Sequence, residues 1–423
     1  MSAAPLRVFV TGADGFIGRA LVVALRRAGC DVVEGVHSRG DGAGRVRVDF
    51  ERDVDASVWE PRLAGVDVVV NTVGLLSEGS GRTFDAVHAR APAALFAACA
   101  RSGVRRVIQI SALGADAQAS SAFHLSKKRA DDALLAEPLA ASVVQPSLVF
   151  GLDGGSARWL LALAAAPLIP LPGRGAQRIQ PVHVDDVVDG LVALATGDRA
   201  MPTRVAMVGP EPLTLADYLA RLRAALGFGP GRFAHVPLRL VRAALAIAPA
   251  LGIGVGAETL AMLERGNVAD AAPFASLLGR APRAAAAFVP THARVAARRA
   301  AQLTAWLPPL RASVSLLWLG SAFVSAFVFP RADSFALLGA LGLGGAAAQV
   351  ALDAGIAVDA ALGIAVWRRR WRPHAYLLQI LTTLAYSVLI SVALPAFWAH
   401  PFAPLLKNVP LLVMAAALRT LDR

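Results

Sequence analysis

Three glycines with a regular spacing follow the first apolar run of the chain. They are Gly12, Gly15 and Gly18, and residues 8–10 before them read Val-Phe-Val. The first glycine permits a tight turn off a strand, the second lets a diphosphate approach the backbone, and the third lets the next helix pack closely. The opening of that helix offers unpaired N–H groups and a positive dipole end to phosphate. In this context the spacing predicts a dinucleotide site. The residues between the glycines supply further expected contacts, namely Asp14, Phe16 and Ile17.

The second apolar run, residues 32–36, ends in basic and polar side chains rather than in an acid. An acid at that place would hold a ribose 2′-hydroxyl, whereas an arginine nearby accommodates a 2′-phosphate. Arg39, together with His37 or Ser38, could supply the second kind of contact. The pattern favours NADP(H) over NAD(H) and leaves both cofactors open.

Two further strand ends carry candidate contacts to the same nucleotide. Asp49 follows the third run and could meet the adenine amine, while Asn71 and Gly74 follow the fourth run. Ligands of open parallel sheets bind beyond the carboxyl ends of the strands. We therefore expect these three residues beside the adenosine.

Strand-like and helix-like segments alternate in the part of the chain that must position these residues. Ala/Leu/Arg-rich helical segments, such as 19–28 and 92–102, separate short apolar runs. Such alternation predicts an α/β fold of the Rossmann type, a doubly wound parallel sheet with helices on both faces. From about residue 150 the pattern is broken by Pro and Gly, and we interpret this part as a small substrate-side region of a domain covering 1–300. The runs that read as buried parallel strands are 7–10, 67–70, 106–110 and 142–144.

The composition indicates that part of the chain lies in a lipid bilayer. Hydrophobic residues make up 56% of the chain, charged residues only 17%, and the mean hydropathy is +0.55; soluble domains are less apolar and more charged. Long uncharged stretches follow residue 311, which predicts a four-helix transmembrane bundle over 312–423 after a linker at 301–311. Lys407 would lie inside the last span, and 334–345 would form a re-entrant or interfacial turn. The expected spans are 312–329, 346–367, 375–396 and 402–418.

Three clusters of arginines flank the expected spans. With four spans, every cluster falls on the side that the positive-inside rule assigns to the cytoplasm. We therefore expect a multi-pass protein of the cell inner membrane with its N-terminal domain and C-terminus in the cytoplasm, and residues 1–6 show no signal-peptide pattern. The clusters explain part of the net charge of +12 without nucleic acid, for which no binding motif is apparent. They are Arg298, Arg299 and Arg311, then Arg368, Arg369, Arg370 and Arg372, and finally Arg419 and Arg423.

The two cysteines, Cys30 and Cys99, indicate neither a metal site nor a disulfide framework. Neither lies in a Cys-x-x-Cys motif, and no Cys/His cluster has the spacing of metal ligands. We expect both to be reduced, small apolar residues.

The motifs of the first domain together resemble the atypical or extended short-chain dehydrogenase/reductases. The most similar group contains the NAD(P)H-binding accessory subunit of respiratory complex I, and the resemblance covers about residues 5–290. It implies binding of NAD(P) and adds Pro146 to the expected cofactor contacts. Besides the glycines, the resemblance is carried by residues 71–74, 110–115, 126–131, 145–151 and 181–187.

In that family a tyrosine, a lysine four residues later and a serine form the proton-transfer site. Lys127 and Ser111 occupy the lysine and serine positions here, whereas Phe123 stands where the tyrosine would be. A phenyl ring cannot exchange a proton, so the acid is missing. An alternative register pairs His124, a legitimate acid or base, with Lys128. We prefer Lys127, since it keeps the family's spacing to the residues that follow.

The adjacent acids Asp185 and Asp186 are interpreted as structural. They open a predicted helix over 187–195, where an N-cap acid and a first-turn acid are favoured. His183 before them is expected to be a hydrogen-bonded core residue.

The C-terminal part, about residues 305–420, resembles the DoxX-like four-helix membrane family, most recognisably at 398–410. Asp353 and Asp359 lie in or near the second expected span. An acid in a bilayer marks either a functional site or a hydrogen bond between helices. The two are six residues apart and do not share one helix face.

Together these patterns indicate an oxidoreductase, anchored in the bilayer, that binds NAD(P)H and passes reducing equivalents to a quinone-like or membrane-near acceptor or redox partner. One alternative is a non-catalytic sensor or assembly factor of a membrane complex, which Phe123 favours. The other is an epimerase or dehydratase, against which the missing tyrosine argues.

Overall fold

The structure is a computed structural model that describes residues 4–37, 42, 44–79, 81–198, 200–247 and 257–422. It contains two compact units, the first ending at Gln302 and the second running from Leu303. The strands are β1 (Arg7–Thr11), β2 (Asp31–Val36), β3 (Arg45–Arg47), β4 (Val68–Asn71), β5 (Arg106–Ile110), β6 (Ala140–Pro146), β7 (Val149–Phe150), β8 (Leu168–Pro172), β9 (Arg178–Ile179), β10 (Val182–His183), β11 (Arg204–Met207), β12 (Leu213–Thr214) and β13 (Arg232–Val236).

Helices of the first unit cover both faces of its sheet. They are α1 (Phe16–Arg27), α2 (Ala56–Trp59), α3 (Ala91–Arg101), α4 (Ala122–Ala136), α5 (Gly155–Ala165), α6 (Val184–Thr196), α7 (Leu215–Ala225), α8 (Leu238–Ile247), α9 (Ala257–Arg265) and α10 (Ala272–Leu278).

The main sheet has seven strands in the order β11-β6-β5-β4-β1-β2-β3, and all neighbouring pairs run parallel. The chain moves from β1 to β2 on one side and later to β4 on the other, so the strand order reverses beside β1. A crevice at such a reversal, outside the carboxyl ends of the strands, is where doubly wound folds bind ligands. The predicted α/β fold of the Rossmann type is confirmed.

Alternation along the strands explains why the sheet is covered on both faces. Val8 and Val10 pack with Leu21 of α1 on one face, and Phe9 packs with Leu95 of α3 on the other. Successive side chains of a strand point to opposite faces, so an uninterrupted apolar run requires two helical layers.

The substrate-side region is built from three short strand pairs, β7 with β10, β8 with β13 and β9 with β12. Its core forms around Phe150, Tyr218 and Phe288, which are fully buried. This region therefore has a hydrophobic core of its own beside the sheet.

Apolar helices dominate the second unit. Its helices are α11 (Arg294–Phe323, which begins in the first unit), α12 (Arg331–Ala340), α13 (Gly345–Ala365), α14 (Arg372–Ala393) and α15 (Asn408–Leu421). Within the described residues three helical stretches are long and apolar enough to cross a membrane, Thr291–Val328, Gly345–Ala365 and Arg372–Ala393, and Asn408–Leu421 is shorter. Many large apolar side chains point outward, including Leu316, Phe327 and Val392. Such outward surfaces suit a lipid environment, and the predicted bundle of apolar helices is confirmed.

Some bounds differ from the sequence-based expectation. Residues 301–311, expected as a linker, are helical and belong to α11, although Pro308 and Pro309 lie within them. The last helix begins at Asn408 rather than near 402, so Lys407 precedes it instead of lying inside a span. Prolines at 401 and 404 explain the later start, because proline disfavours the helical conformation in the residue before it.

Candidate functional site

The glycine turn forms a bare backbone surface at the end of β1. Gly12 has φ +72°, and a Cβ on it would lie 2.8 Å from Thr72 Oγ1. A Cβ on Gly18 would lie 2.1 Å from the Gly12 oxygen, and one on Gly15 would lie 3.0 Å from it. Each glycine is therefore required or favoured by the close approach of α1 to the strand end.

The N-terminus of α1 is open to an anion. Gly15 caps it without a side chain, and its first turn contains no acidic residue. Its terminal N–H groups thus remain for a diphosphate. Asp14 is exposed at the turn, while Phe16 and Ile17 are half-buried against the core. The residues present fit the diphosphate of a dinucleotide.

A buried hydrogen-bond chain fixes the neighbouring strand ends. Thr11 Oγ1 donates to Asn71 Oδ1 at 2.6 Å, and Asn71 Nδ2 donates to Gln109 Oε1 at 2.7 Å. The chain joins β1, β4 and β5 at the crevice. The Asn71 side chain is thus engaged within the sheet, and its role is to hold the edge on which a nucleotide would lie. Gly74 lies just beyond, exposed.

Lys127 is the buried cation of the crevice. Its side chain comes from α4 and is 4% exposed, and Nζ donates to the carbonyl oxygens of Val73 and Ile110, each at 3.1 Å. Burial lowers the pKa of Lys127 to about 8, and the nearby Asp131 carboxyl opposes this shift. A Cβ on Gly74 would lie 3.2 Å from Nζ. The ammonium group therefore reaches the ends of β4 and β5, where the preferred register places it.

Lys128 points away from this site. Its Nζ pairs with the half-exposed carboxylate of Asp132, one helical turn along α4. The alternative register, His124 with Lys128, therefore does not bring a lysine to the strand ends.

Ser111, the expected serine, is engaged by a buried acid. Its Oγ donates to Asp131 Oδ2 at 2.5 Å, and Asp131 is fully buried. Burial raises the pKa of Asp131 to about 6, although the Ser111 hydrogen bond and the charge of Lys127 oppose the rise. In this arrangement the hydroxyl thus donates its hydrogen bond to Asp131 and does not offer it to a substrate oxygen.

Phe123, at the tyrosine position, lies in an aromatic cluster. It is 6% exposed, and its ring makes edge contacts with Phe84, His88 and His124, with centroids 5.9, 5.4 and 5.3 Å away. The phenyl ring itself cannot exchange a proton.

His88 is a site residue that sequence reasoning missed. Its Nε2 accepts a hydrogen bond from the Leu75 N–H at 2.8 Å, so Nδ1 carries the proton and donates to Ser126 Oγ at 3.0 Å. Ser126 Oγ in turn donates to the Phe123 carbonyl oxygen at 2.8 Å. Burial and the charge of Lys127 lower the pKa of His88 to about 2, so the ring stays neutral. His88 therefore ties the loop after β4 to α4.

The placement of His88 could not be inferred from local sequence. It lies on a π-helical turn, Asp85–Arg90, that precedes α3. Such turns are rare, and they frequently occur at functional sites. The available signal was only a histidine near the start of a helical segment.

His124 is buried beside the loop after β5. Its Nδ1 lies 2.9 Å from Ser121 Oγ. Burial, together with the charge of Arg265, lowers the pKa of His124. Arg265 closes this loop by donating to the Gly114 oxygen at 2.6 Å and to both oxygens of Asp116. The imidazole is thus neutral at pH 7 and has no readily donated proton.

Several arginines lie near the ends of β2 and β3. His37 is exposed at the end of β2, and Arg39 lies outside the described residues. Register places Arg47 of β3 beside Val36, the last residue of β2. A cavity of about 240 Å³ lies here, lined by Arg47, Asp49, Arg52, Asp53 and Arg62. Asp49 thus lies among arginines, just beyond the end of β3, where we expected the adenosine to bind.

Pro146 and the 183–186 cluster have structural contacts. The Pro146 oxygen accepts a hydrogen bond from Leu113 N at 3.1 Å. His183, not an aspartate, is the N-cap of α6, which begins at Val184, and its Nδ1 accepts from Asp185 N. Asp186 is fully buried and pairs with Arg280 at 2.7 Å. The expected N-cap aspartate is corrected, since a histidine nitrogen can accept the same bond.

We predict that Asp131→Asn changes the pH dependence of stability. The pKa of Asp131 rises from 3.8 to about 6 on folding, so its contribution to stability is present below 3.8 and is lost as the pH rises through about 6. The asparagine variant should lack this loss, which corresponds to about 3 kcal/mol at most. Thermal unfolding of the full chain in detergent between pH 4 and pH 7 measures it. Asp132→Asn, at the exposed neighbour, is the control, and equal pH profiles for the two variants would contradict the prediction.

Among the residues that the structure describes, no group of three or more His, Cys, Asp or Glu side chains could hold a metal ion. Cys30 and Cys99 are both free thiols.

Each of the two units contains a segment that matches a known protein family. Residues 8–209 match the NAD dependent epimerase/dehydratase family, and residues 315–416 match the DoxX-like family. The mitochondrial NADH dehydrogenase (ubiquinone) 1 alpha subcomplex subunit 9 of Arabidopsis thaliana is 28% identical over 248 residues, which cover 55% of this chain and 61% of that protein. The ceramide reductase of Caulobacter vibrioides is 31% identical over 193 residues, covering 44% and 60%.

These matches cover about three fifths of each relative. Among solved structures, a short-chain dehydrogenase/reductase superfamily protein from Agrobacterium tumefaciens with bound NAD has a TM-score of 0.52 at 18% identity, covering 69% of this chain and 97% of that one. That likeness shows the fold. The resemblances expected for both domains are confirmed.

Proposed function

We propose that this chain, which joins an NAD dependent epimerase/dehydratase-like domain to a DoxX-like membrane domain, is a membrane-anchored oxidoreductase that passes reducing equivalents from NAD(P)H to a lipid-soluble, quinone-like acceptor. The observation that carries the proposal is the position of the buried Lys127 ammonium group at the strand ends. Four residues earlier, at the tyrosine position, stands Phe123, whose ring cannot supply a proton.

The cofactor half of the site is complete. Gly12, Gly15 and Gly18 with the open end of α1 would hold the diphosphate. Two of the three N–H bonds of Lys127 are used on backbone carbonyls, which leaves the third to donate to a ribose hydroxyl. When bound, a reduced nicotinamide supplies a hydride.

The missing acid favours a particular class of acceptor. Reduction of an isolated ketone leaves an alkoxide, a strong base that needs a positioned acid. In this site Phe123 has no proton to give, the Ser111 hydroxyl is held by Asp131, and the lowered pKa of His124 keeps its ring neutral. A quinone leaves a much weaker base on reduction, which can take its proton from water. The site therefore suits a quinone-like acceptor better than a sugar ketone, which also argues against an epimerase or dehydratase.

The membrane domain supports an acceptor that dissolves in the bilayer. Three helices have the length and apolar composition of membrane spans. One relative bears the name ceramide reductase, and ceramide is a lipid. The arginines beside the spans support an inner-membrane location with the dinucleotide domain in the cytoplasm.

We propose NADP(H) as the preferred cofactor. The cavity beside the ends of β2 and β3 is lined by Arg47, Arg52 and Arg62 against two aspartates. Guanidinium groups bind phosphate well, so this surrounding favours the extra 2′-phosphate.

A second candidate is a non-catalytic NAD(P)H-binding assembly factor or sensor. The engagement of Ser111 by Asp131 favours it, because no serine hydroxyl then faces a substrate. The name of the Arabidopsis relative, a subunit of NADH dehydrogenase, agrees with such a role.

We predict that the full chain in lipid nanodiscs oxidises NADPH when a short-chain ubiquinone analogue is added, and that Phe123→Tyr changes the rate by less than about threefold. A tyrosine would supply an acid that a quinone does not need. Absorbance at the nicotinamide band measures the rate, and titration of NADPH and NADH by fluorescence measures binding. Tight binding without oxidation by quinones would favour the second candidate, and a large gain of carbonyl reduction in Phe123→Tyr with no quinone activity in either protein would contradict the choice of acceptor. Equal or tighter binding of NADH would overturn the cofactor preference.

A further inference from the structure

Three buried polar atoms on α11, α13 and α14 have no hydrogen-bond partner within the described residues, in addition to Arg419 Nε on α15. They are Trp318 Nε1, Asp359 Oδ1 and Gln379 Oε1, and their side chains are 4%, 7% and 1% exposed. An unsatisfied polar group inside an apolar bundle costs several kcal/mol, since no water is at hand in a bilayer. The arrangement therefore indicates that these atoms receive a partner from outside the chain.

The three side chains come from neighbouring turns of three helices. Ser321 Oγ of α11 donates to Asp359 Oδ2 of α13 at 2.8 Å, and Trp318 lies one turn before Ser321. Gln379 Nε2 of α14 donates to the oxygen of Leu362, one turn after Asp359, at 3.1 Å. Leu362 and Trp318 belong to the same apolar core. Residues three apart on a helix share a face, so the orphan side chains lie on facing sides of the three helices, within about one turn of one another along the bundle.

Gly355 and Tyr386 face each other between α13 and α14. Gly355, one turn before Asp359, has no side chain, and a Cβ on it would lie 3.6 Å from the Tyr386 hydroxyl. Tyr386 is itself 40% exposed. A head group that comes from the bilayer would therefore reach Asp359 by displacing the half-exposed Tyr386 side chain from Gly355.

The chemistry of the orphan atoms selects a carbonyl compound. Within the described part of the chain no cation pairs with Asp359, and an unpaired anion inside a membrane is costly. As a neutral acid that accepts from Ser321 through Oδ2, it presents an O–H at Oδ1. Trp318 adds a second donor and Gln379 an acceptor. Two donors beside one acceptor match a carbonyl oxygen with a neighbouring hydroxyl or N–H group.

We propose that α11, α13 and α14 form a binding site for the carbonyl head group of a lipid-soluble molecule, which Asp359 and Trp318 hold by hydrogen bonds. Identifying this molecule as the acceptor depends on the proposed function, whereas its binding does not. A carbonyl that accepts from Asp359 and Trp318 occurs both in a quinone and in an acyl-amide lipid such as a ceramide, and the ceramide also carries N–H and O–H groups that can donate to Gln379.

The test is calorimetric titration of the full chain in nanodiscs, without NADPH, with a short-chain ubiquinone analogue and separately with a short-chain ceramide. Asp359→Leu is expected to raise the Kd at least about tenfold and Trp318→Phe about fivefold, since each removes one donor. Asp359→Asn keeps an N–H donor at the same place and should stay within about threefold. Asp353→Leu is the matched control, because Asp353 lies on the same helix but is exposed and paired with Arg331.

The probe that binds identifies the source of the carbonyl. Binding of neither probe to the unaltered chain, or equal Kd values for Asp359→Leu and Asp353→Leu, overturns the site. Loss of binding in Asp359→Asn overturns the assignment of Asp359 as a donor. Should Asp359→Leu fail to elute as a folded protein, Trp318→Phe decides alone. NADPH binding should be unchanged in all these variants, which separates this outcome from a failure of the proposed function.

Discussion

Replacing Gly15 by valine is expected to weaken NADPH binding by at least about 100-fold while the protein stays folded, because binding of the diphosphate needs close approach to this backbone. Gly15 is exposed, has φ −77° and makes only one close contact, 3.0 Å from its would-be Cβ to the Gly12 oxygen. A valine fits this backbone conformation but places two methyl groups at the open end of α1. Fluorescence titration of the full chain in detergent measures the effect.

The control for Gly15→Val is Gly155→Val. Gly155 is the first residue of α5, and a Cβ there would meet nothing within 4 Å. This variant should bind NADPH like the unaltered chain. If Gly15→Val bound equally well, the diphosphate would not lie over the glycine turn, and the dinucleotide site would have to be placed elsewhere.

Lys127→Met is expected to lower NADPH oxidation by at least about 100-fold and to weaken NADPH binding about tenfold, since charged hydrogen bonds are among the strong ones. Methionine fills a similar volume but cannot donate to Val73, Ile110 or a ribose. Lys128→Met removes the next lysine, which pairs with Asp132 at the surface, and should leave both quantities unchanged.

The pH dependence of the Kd for NADPH provides a second test of the role of Lys127. Burial lowers its pKa to about 8, so the ammonium form is lost as the pH rises through that value. The Kd for NADPH should therefore increase between pH 7 and pH 9 in the unaltered chain and in Lys128→Met. A similar increase in Lys127→Met would show that another group titrates, and the assignment would be wrong.

The fold could be predicted largely because its signals are local. The run 7–10 followed by three spaced glycines specifies strand, turn and helix within a short segment, and the structure has β1 and α1 there. Lys127 was selected by its spacing, and the structure places its ammonium group at two strand ends. A local sequence pattern does not predict a contact between segments that are distant in the chain. The pairing of Ser111 with Asp131 and the role of His88 depend on how α4 packs across the strand ends, and no residue spacing encodes that.

In the membrane part, too, local features could be predicted from the sequence and contacts between helices could not. Apolar length predicts the helices, because a span needs about 20 apolar residues. Their ends depend on the backbone, and the prolines before Asn408 delay the last helix beyond the bound expected from hydropathy. The sequence showed only that an acid, Asp359, lies in an expected span. The polar side chains around it could not be predicted, since they come from α11 and α14.

The absence of a side chain at Gly18 has a consequence for redesign. With a Cβ at that position only 2.1 Å from the Gly12 oxygen, α1 and β1 are joined too closely for any other amino acid. An engineer who wished to exchange one pyridine nucleotide for the other would leave positions 12–18 untouched. Changes would be confined to the rim around Arg47 and Arg52, where side chains are partly open to solvent and substitutions can be combined without disturbing the sheet.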